Sequence, residues 1–449
     1  MMKTQPNWER FEEEMGSTVI TEEQETNKLS KDYYWYSPVL AAELADKVAD
    51  GVAKPETVEQ ALAVLKACYS HDIPVTTRGA GTGNYGQGIP SHGGLVLDLS
   101  GLNKIITMEP GQVTVQAGVK LGRLEKELRE AGSELCIYPS TYMKATVGGF
   151  FSGGSGGIGS ITWGNVWDGN LLEVHILTME EEPRILTVKG DELNRYIHNY
   201  GTSGIMVQLT IRTAEAVDWE QVIVQFDEGE DMLAFTESLA YDDDIRKRLV
   251  SGHETPIPTY FVPLAPYIEE GKAVALLEIE AGNDGRLKEL SSSHHGQITR
   301  VIPADRYHKE MSLSDFTWNH TTLWALKTDP TLTYLQSGFS THHYLDQMRN
   351  IKQRYPDEVH LHVEWVRGEG DIQIGSLPVI EYQSRERLYE IIDYFESIGV
   401  SVNDPHTFLL PMDNKGRFEQ ILEAKALNDP KGLLNPGKLP DLKKAQQAG

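Results

Sequence analysis

Hydrophobic residues recur at helical spacing over 55–70, where Val58, Ala61, Leu62 and Leu65 fall at i, i+3, i+4 and i+7 and Pro55 suits a first turn. Short apolar and β-branched runs at 73–77, 95–99 and 113–117 read as strands. Leu121, Leu124 and Leu128 mark a further helix, ended by Gly132 at its C′ position. Strands are predicted again at 171–178 and 205–212, so this half alternates short strands, helices and glycine-rich corners in an α+β pattern. From about residue 216 the texture changes. Acidic loops at 227–231 and 242–244 separate strands such as 222–226 and Ala273–Glu280 from helical runs. A helix near 341–355 presents Tyr344, Leu345, Met348 and Ile351. Another near 384–398 presents Leu388, Ile391, Ile392 and Phe395 and stops at Gly399, while Ser291-Ser-Ser-His-His295 reads as a polar loop. No internal repeat is visible, and 449 residues suit two domains, with the boundary at 215/216.

Composition narrows the class of protein. Hydrophobic content of 40% and charged content of 24% are those of an ordinary globular chain. No window approaches the roughly 18 uninterrupted apolar residues of a membrane span. The acidic, polar stretch 1–25 lacks the apolar core of a secretory signal, so cytoplasmic residence is the expected default. Cys68 and Cys136 both sit among apolar neighbours and read as buried free thiols. A formal charge of −25 opposes binding to nucleic acid or anionic membranes. An anionic substrate would meet the same repulsion, so a site for one must gather Arg, Lys or His locally.

Two glycine-dense stretches carry the candidate chemistry. The first is Arg78-Gly-Ala-Gly-Thr-Gly-Asn-Tyr-Gly-Gln87; the second runs from Thr146-Val-Gly-Gly149 through Gly153-Gly-Ser-Gly-Gly157 to Trp163-Gly164. Such loops leave backbone N–H groups bare and permit positive φ, which lets the main chain close around a pyrophosphate. Gly81-Thr-Gly83-Asn-Tyr-Gly86 matches the dinucleotide fingerprint G-x-G-x-x-G, but that motif must open a helix. Here Gln87-Gly-Ile-Pro-Ser-His-Gly-Gly94 follows and leads into another strand, so the Rossmann reading is rejected.

The order of these loops, with Leu95-Val-Leu-Asp-Leu99, Gly201-Thr-Ser-Gly-Ile205 and the terminal Asp429-Pro-Lys-Gly-Leu-Leu-Asn-Pro-Gly-Lys438, resembles the FAD-linked oxidases of the vanillyl-alcohol oxidase / p-cresol methylhydroxylase superfamily. Within it the chain is most similar to the branch of the glycolate oxidase flavoprotein subunit and D-lactate dehydrogenase. The resemblance implies an α+β fold: a two-lobed FAD-binding domain, 1–215 completed by 425–449, and a cap domain, 216–424, with an antiparallel sheet flanked by helices. It implies that Arg78, Gly79, Gly81, Thr82, Gly83, Asn84, Gly86 and Gln87 line the pyrophosphate region. Pro139, Ser140, Gly148, Gly149, Ser155, Gly157, Gly164 and Ile205 would hold the adenosine and ring portions, and Asn435 and Lys438 would return to the flavin edge. Thr82 stands where many members carry a flavin-linking histidine, so FAD is expected to be non-covalent.

The branch's metal motif, H-x-G-D-G-N-x-H, corresponds to Val366-Arg-Gly-Glu-Gly-Asp-Ile-Gln373, with both histidines replaced. His360, His362 and Glu364 alternate with apolar residues and would share one strand face, either as ligands or as a hydrogen-bonded polar face. The expectation is no metal. His406, at the position of the branch's cap histidine, is the first choice of base, the alternative being a turn histidine. Lys327, where the branch has a substrate-binding arginine, and Arg367 are candidates to pair a carboxylate. Trp318, Trp324 and Trp365 are either pocket wall or core. The implied activity is oxidation of a CH–OH group with hydride transfer to flavin N5, on a small or medium 2-hydroxy acid. The alternatives are a metal-free oxidase or dehydrogenase of a neutral or aromatic alcohol, and a flavin-carrying subunit of a larger complex. The electron acceptor stays open between oxygen, quinone and a protein, and any iron–sulfur centre would sit on a partner. A homodimer is implied only at family level.

Overall fold

The computed structural model describes residues 6–440, except 308 and 413. Four strands, Val19–Ile20, Gly51–Ala53, Leu95–Asp98 and Val75–Arg78, lie side by side in that order. The last three run parallel. The helix Val58–Ser70 makes the crossover between Gly51–Ala53 and Val75–Arg78. Its start is fixed by the Thr57 hydroxyl, which accepts from the Gln60 amide, and Pro55 lies outside the first turn. No helix follows Arg78; the chain goes from the first glycine stretch to Leu95–Asp98, as the rejection of the dinucleotide fingerprint requires.

A second sheet is antiparallel, in the order Ile105–Glu109, Gln112–Gln116, Ile205–Glu215, Leu171–Leu177 and Ile185–Lys189, with Ser133–Leu135 paired to the far end of Ile205–Glu215. One apolar cluster runs through both sheets and the helix Leu121–Glu130, whose Leu121, Leu124 and Leu128 point inward. Gly132 takes φ +80° just past that helix, as its C′ role demands. Cys68 and Cys136 are buried free thiols inside this cluster.

From Trp219 onward the chain builds an eight-stranded antiparallel sheet. Its order is Gln297–Ile302, Trp219–Phe226, Ala273–Glu280, Lys247–His253, His362–Gly368, Asp371–Ser376, Ser337–Phe339 and Ser401–Val402. Period-two alternation assigns its two faces. Ala273, Ala275, Leu277 and Ile279 pack with Phe235 and Leu239 of Gly229–Tyr241, Met348 and Ile351 of Tyr344–Arg354, and Leu388, Ile391, Ile392 and Phe395 of Arg385–Ser397. Val274 and Leu276 face the other way and join Tyr36, Tyr85, Tyr200, Trp318 and Leu377. The sheet thus has a helix-covered face and a face turned toward the glycine loops.

Three expectations about elements need correction. Ser291, Ser292 and Ser293 belong to the helix Asp284–Ser293, because Leu287 and Ser291, one turn apart, are both buried. The second glycine stretch contains the seven-residue helix Val147–Gly153. Burial of Val147, Phe150 and Phe151 and capping by Thr146 override the poor helix propensity of its glycines. His360 and His362 do not lie along one strand: Val359–His360 pairs with Val379–Glu381 in a three-stranded sheet, whereas His362 opens a strand of the eight-stranded sheet. No helix among the described residues is long and apolar enough to cross a membrane.

Candidate active site

The two glycine stretches meet at one wall of a cavity of about 420 Å³, inside the range of roughly 300–1,000 Å³ for small-molecule sites. Gly81 adopts φ +64°, and a Cβ there would overlap the Arg78 guanidinium. A Cβ on Gly79 would overlap the Thr146 hydroxyl, so the first loop touches the cap of the helix Val147–Gly153. Gly148 lets that helix approach the strand end: its amide donates to the Ala117 carbonyl at 2.8 Å, and a Cβ would lie 2.6 Å from the Ala117 methyl. The amides of Gly81, Thr82 and Gly83 have no acceptor among the described residues. Thr77 Oγ1 and Arg78 Nε, on two residues of the same wall, are buried without partners. Bare amides, orphaned donors and glycines that no side chain can replace fit a phosphate-bearing cofactor.

Arg78, Gly79, Gly81, Thr82, Gly83, Asn84 and Gln87 line the cavity, as do Pro139, Ser140, Gly148, Gly149, Ser155 and Ile205. Gly86, Gly157 and Gly164 do not line it. Gly86 takes φ +69° against Leu44, a Cβ on Gly157 would overlap the Tyr138 carbonyl, and Gly164 takes φ +76° against Asp168, so all three serve turns and close packing. Asn435 and Lys438 also lie outside the lining and brace the first loop from behind. Asn435 Nδ2 donates to the Gln87 and Tyr200 carbonyls at 2.9 and 2.6 Å, and Lys438 Nζ to the Gly86 carbonyl at 2.7 Å. Burial lowers the Lys438 ammonium to about 7, against the opposing pull of Asp32.

None of the five candidate catalytic residues lines the cavity. His406 is buried, with Nδ1 2.7 Å from Ser37 Oγ and Nε2 2.8 Å from the Tyr334 carbonyl, so both ring nitrogens are engaged in joining two segments of the chain. Burial lowers it to about 4. Lys327 lies over the Trp324 ring at 4.2 Å. Arg367 donates to the Ile161 and Gly370 carbonyls. His360 is 3.8 Å from Glu381, and burial lowers it to about 4. His362 stacks on His253 at 4.5 Å and bonds Glu364 at 2.8 Å. Among the described residues no group of three His, Cys, Asp or Glu side chains is arranged to hold a metal.

A further part of the lining comes from residues that the sequence did not single out, apart from Trp318, whose ring lies beside Gly156 of the second glycine stretch. Asp315, Trp318, Asn319, His320 and Leu323 lie where a 3₁₀ turn passes into the helix Asn319–Thr328. Trp318 adopts φ 53° and ψ −138°, a strained conformation for a bulky residue. Glu364 holds it there: its Oε1 accepts from the Trp318 amide at 2.7 Å and from Ser251 Oγ at 2.9 Å. Asp32, Lys144, His198, Tyr200 and Gln336 are among the other polar residues of the lining. Trp365 is core and Trp324 stacks on Phe316 at 5.2 Å, so of the three tryptophans only Trp318 is wall.

Comparison with known proteins agrees with this geometry. Residues 49–187 match the model of an FAD binding domain. The chain is 22% identical over 438 residues to glycolate oxidase subunit GlcD of Escherichia coli (strain K12), covering 89% of this chain and 85% of that protein. It is 30% identical over 201 residues to a D-lactate dehydrogenase of Anaerostipes hadrus, covering 41% and 42% of the two chains. Its fold superposes on alkyldihydroxyacetonephosphate synthase with a TM-score of 0.73 at 13% identity, covering 95% of this chain and 86% of the other. The resemblance read from the glycine stretches therefore extends to cofactor and fold, and the chain is an FAD-dependent oxidoreductase with the FAD-binding architecture of the p-cresol methylhydroxylase type.

Proposed function

We propose that the protein oxidises the CH–OH group of a small or medium 2-hydroxy acid. Bound FAD supplies the two-electron acceptor for this chemistry. The observation that carries the reading is one cavity lined both by a phosphate-type glycine wall and by Asp315, Trp318, Asn319 and His320. Residues 1–215, completed by 425–449, act as the FAD-binding unit, and 216–424 as the cap; of these, 1–5, 308, 413 and 441–449 lie outside the described residues. Arg78, Thr82 and the amides of Gly81 to Gly83 hold the pyrophosphate, and Thr82 in the linking position leaves FAD non-covalent. The cap wall excludes water and orients the substrate carbon. Lys144, on the cavity wall, supplies local positive charge against the overall −25.

One observation favours the alternative of a neutral alcohol. Lys327 and Arg367, the two expected carboxylate partners, are both turned to other contacts. The deciding experiment is anaerobic bleaching of the bound flavin by a panel of 2-hydroxy acids and neutral alcohols, with and without chelator. Rapid bleaching by a 2-hydroxy acid, unaffected by chelator, is expected. Bleaching only by a neutral alcohol transfers the reading to that class. Bound flavin that nothing reduces favours a subunit whose chemistry lies elsewhere.

A further inference from the structure

Two histidines line the cavity, and their surroundings differ. His198 belongs to the glycine-side wall: its Nδ1 bonds the Gly154 carbonyl at 2.8 Å, and its ring packs edge-on to Trp167 and Tyr200. His320 belongs to the cap wall, in the first turn of Asn319–Thr328. Its backbone is set by the Trp318 turn, the His320 amide donating to the Thr317 carbonyl at 3.0 Å. The Nδ1 edge of its ring faces Asp315, whose Oδ1 lies 4.0 Å away, and is closed to solvent. Nδ1 has no hydrogen-bond partner among the described residues, and Nε2 is the ring nitrogen that remains for a molecule in the cavity His320 lines.

We propose that His320 Nε2 is the base that receives the substrate hydroxyl proton, with Asp315 as the positioning residue behind it. The proposal rests on the CH–OH reading above. In the step, the O–H bond breaks and its proton passes to Nε2. The C–H hydrogen leaves with its electron pair to the flavin acceptor, and the carbon–oxygen bond becomes a carbonyl. The substrate loses two electrons and the flavin gains them.

The electrostatics set the resting charge of the pair. Burial, then the positive charge of Lys327, lower His320 to about 4, opposed by the Ser314 backbone, so its imidazole is neutral near neutral pH; the same lowering weakens it as a base, and the Asp315 carboxylate beside it acts against that. Burial, then Glu278, raises Asp315 to about 6, opposed by Lys327. Above that pH its carboxylate is charged and steadies the imidazolium that forms. Asp315, Lys327, Lys144, Glu278 and Tyr142 are the titratable groups around the pair.

The test uses the FAD-loaded protein. His320→Asn should keep its flavin and its melting temperature while the anaerobic reduction rate falls by about 10²–10⁴-fold. His198→Asn should fall far less. ¹⁵N-histidine NMR of the loaded enzyme should show the His320 ring neutral at pH 6, a readout independent of turnover. Asp315→Asn should slow reduction and shift the pH profile; this also serves if His320→Asn does not fold. Wild-type reduction rates in His320→Asn, a larger loss in His198→Asn, an imidazolium at pH 6, or an unmoved profile in Asp315→Asn would each overturn the base assignment alone. A wild-type flavin that no CH–OH compound reduces would instead sink the CH–OH reading, and the base with it.

Discussion

Gly81 shows how much a single residue of the first glycine loop is constrained. Its φ of +64° disfavours any side chain, and the space a Cβ needs is held by the Arg78 guanidinium, which donates to the Lys31 carbonyl at 2.6 Å. Gly81→Val therefore has to displace Arg78 or unwind the loop, and it should yield folded but colourless protein. Flavin absorbance of the purified variant checks this; a fully yellow variant would refute the loop's role. At this scale the sequence was informative wherever geometry demanded glycine, because only that residue tolerates the backbone. It was uninformative for histidines. His406 stood in the expected position yet is fully used in joining Ser37 to Tyr334, while His320, with no motif around it, borders the cavity.

The element that sets the cap wall is the turn into Asn319–Thr328. Holding Trp318 at φ 53° costs about 1–3 kcal/mol, and the Glu364 carboxylate opposes that strain through the Trp318 amide at 2.7 Å. Glu364→Leu removes the acceptor of the Trp318 amide and leaves Ser251 Oγ and His362 Nε2 only the longer contact with each other, at 3.3 Å, and that of Ser251 with His253, at 3.4 Å. We expect a lower melting temperature and a raised substrate KM, with flavin retained. Unchanged KM with lowered melting would reduce Glu364 to a purely structural role. Amphipathic helices were legible to within a few residues: the 341–355 and 384–398 patterns are Tyr344–Arg354 and Arg385–Ser397. Val147–Gly153 was not, since its helicity comes from burying Phe150 and Phe151 rather than from propensity. The break at Leu361 was hidden for a related reason: unbroken alternation does not reveal which sheet each residue joins.

Across the whole molecule, the two halves are joined by a buried charge cluster centred on Arg248. Its Nε lies 3.2 Å from Glu278 and its Nη1 3.4 Å from Glu134 and 3.6 Å from Glu125, and its Nη2 donates to the Tyr138 and Tyr307 hydroxyls. Arg129 adds a second cation, 2.6 Å from Glu134. Glu125, Glu134 and Tyr138 come from the half that carries the glycine loops; Arg248 and Glu278 come from the eight-stranded sheet. Removing one partner of such a cluster strands the others in a low-dielectric interior. Arg248→Met should destabilise the protein by about 3–5 kcal/mol, read from urea unfolding. A loss within error would show that the carboxylates are neutral or hydrated instead.

What the sequence determined by itself was local: glycine positions fixed by backbone sterics, helices and strands by hydrophobic period, and an FAD fold by the order of its loops. Tertiary structure decided what depends on residues far apart in the chain. It chose which glycines line the cavity and which only pack, as Gly157 does against Tyr138. It also brought Asp315 and His320 into the lining of one cavity with Arg78 and Thr146 of the loops. No spacing along the chain encodes that encounter, because it is set by how two sheets and their shared core close on each other.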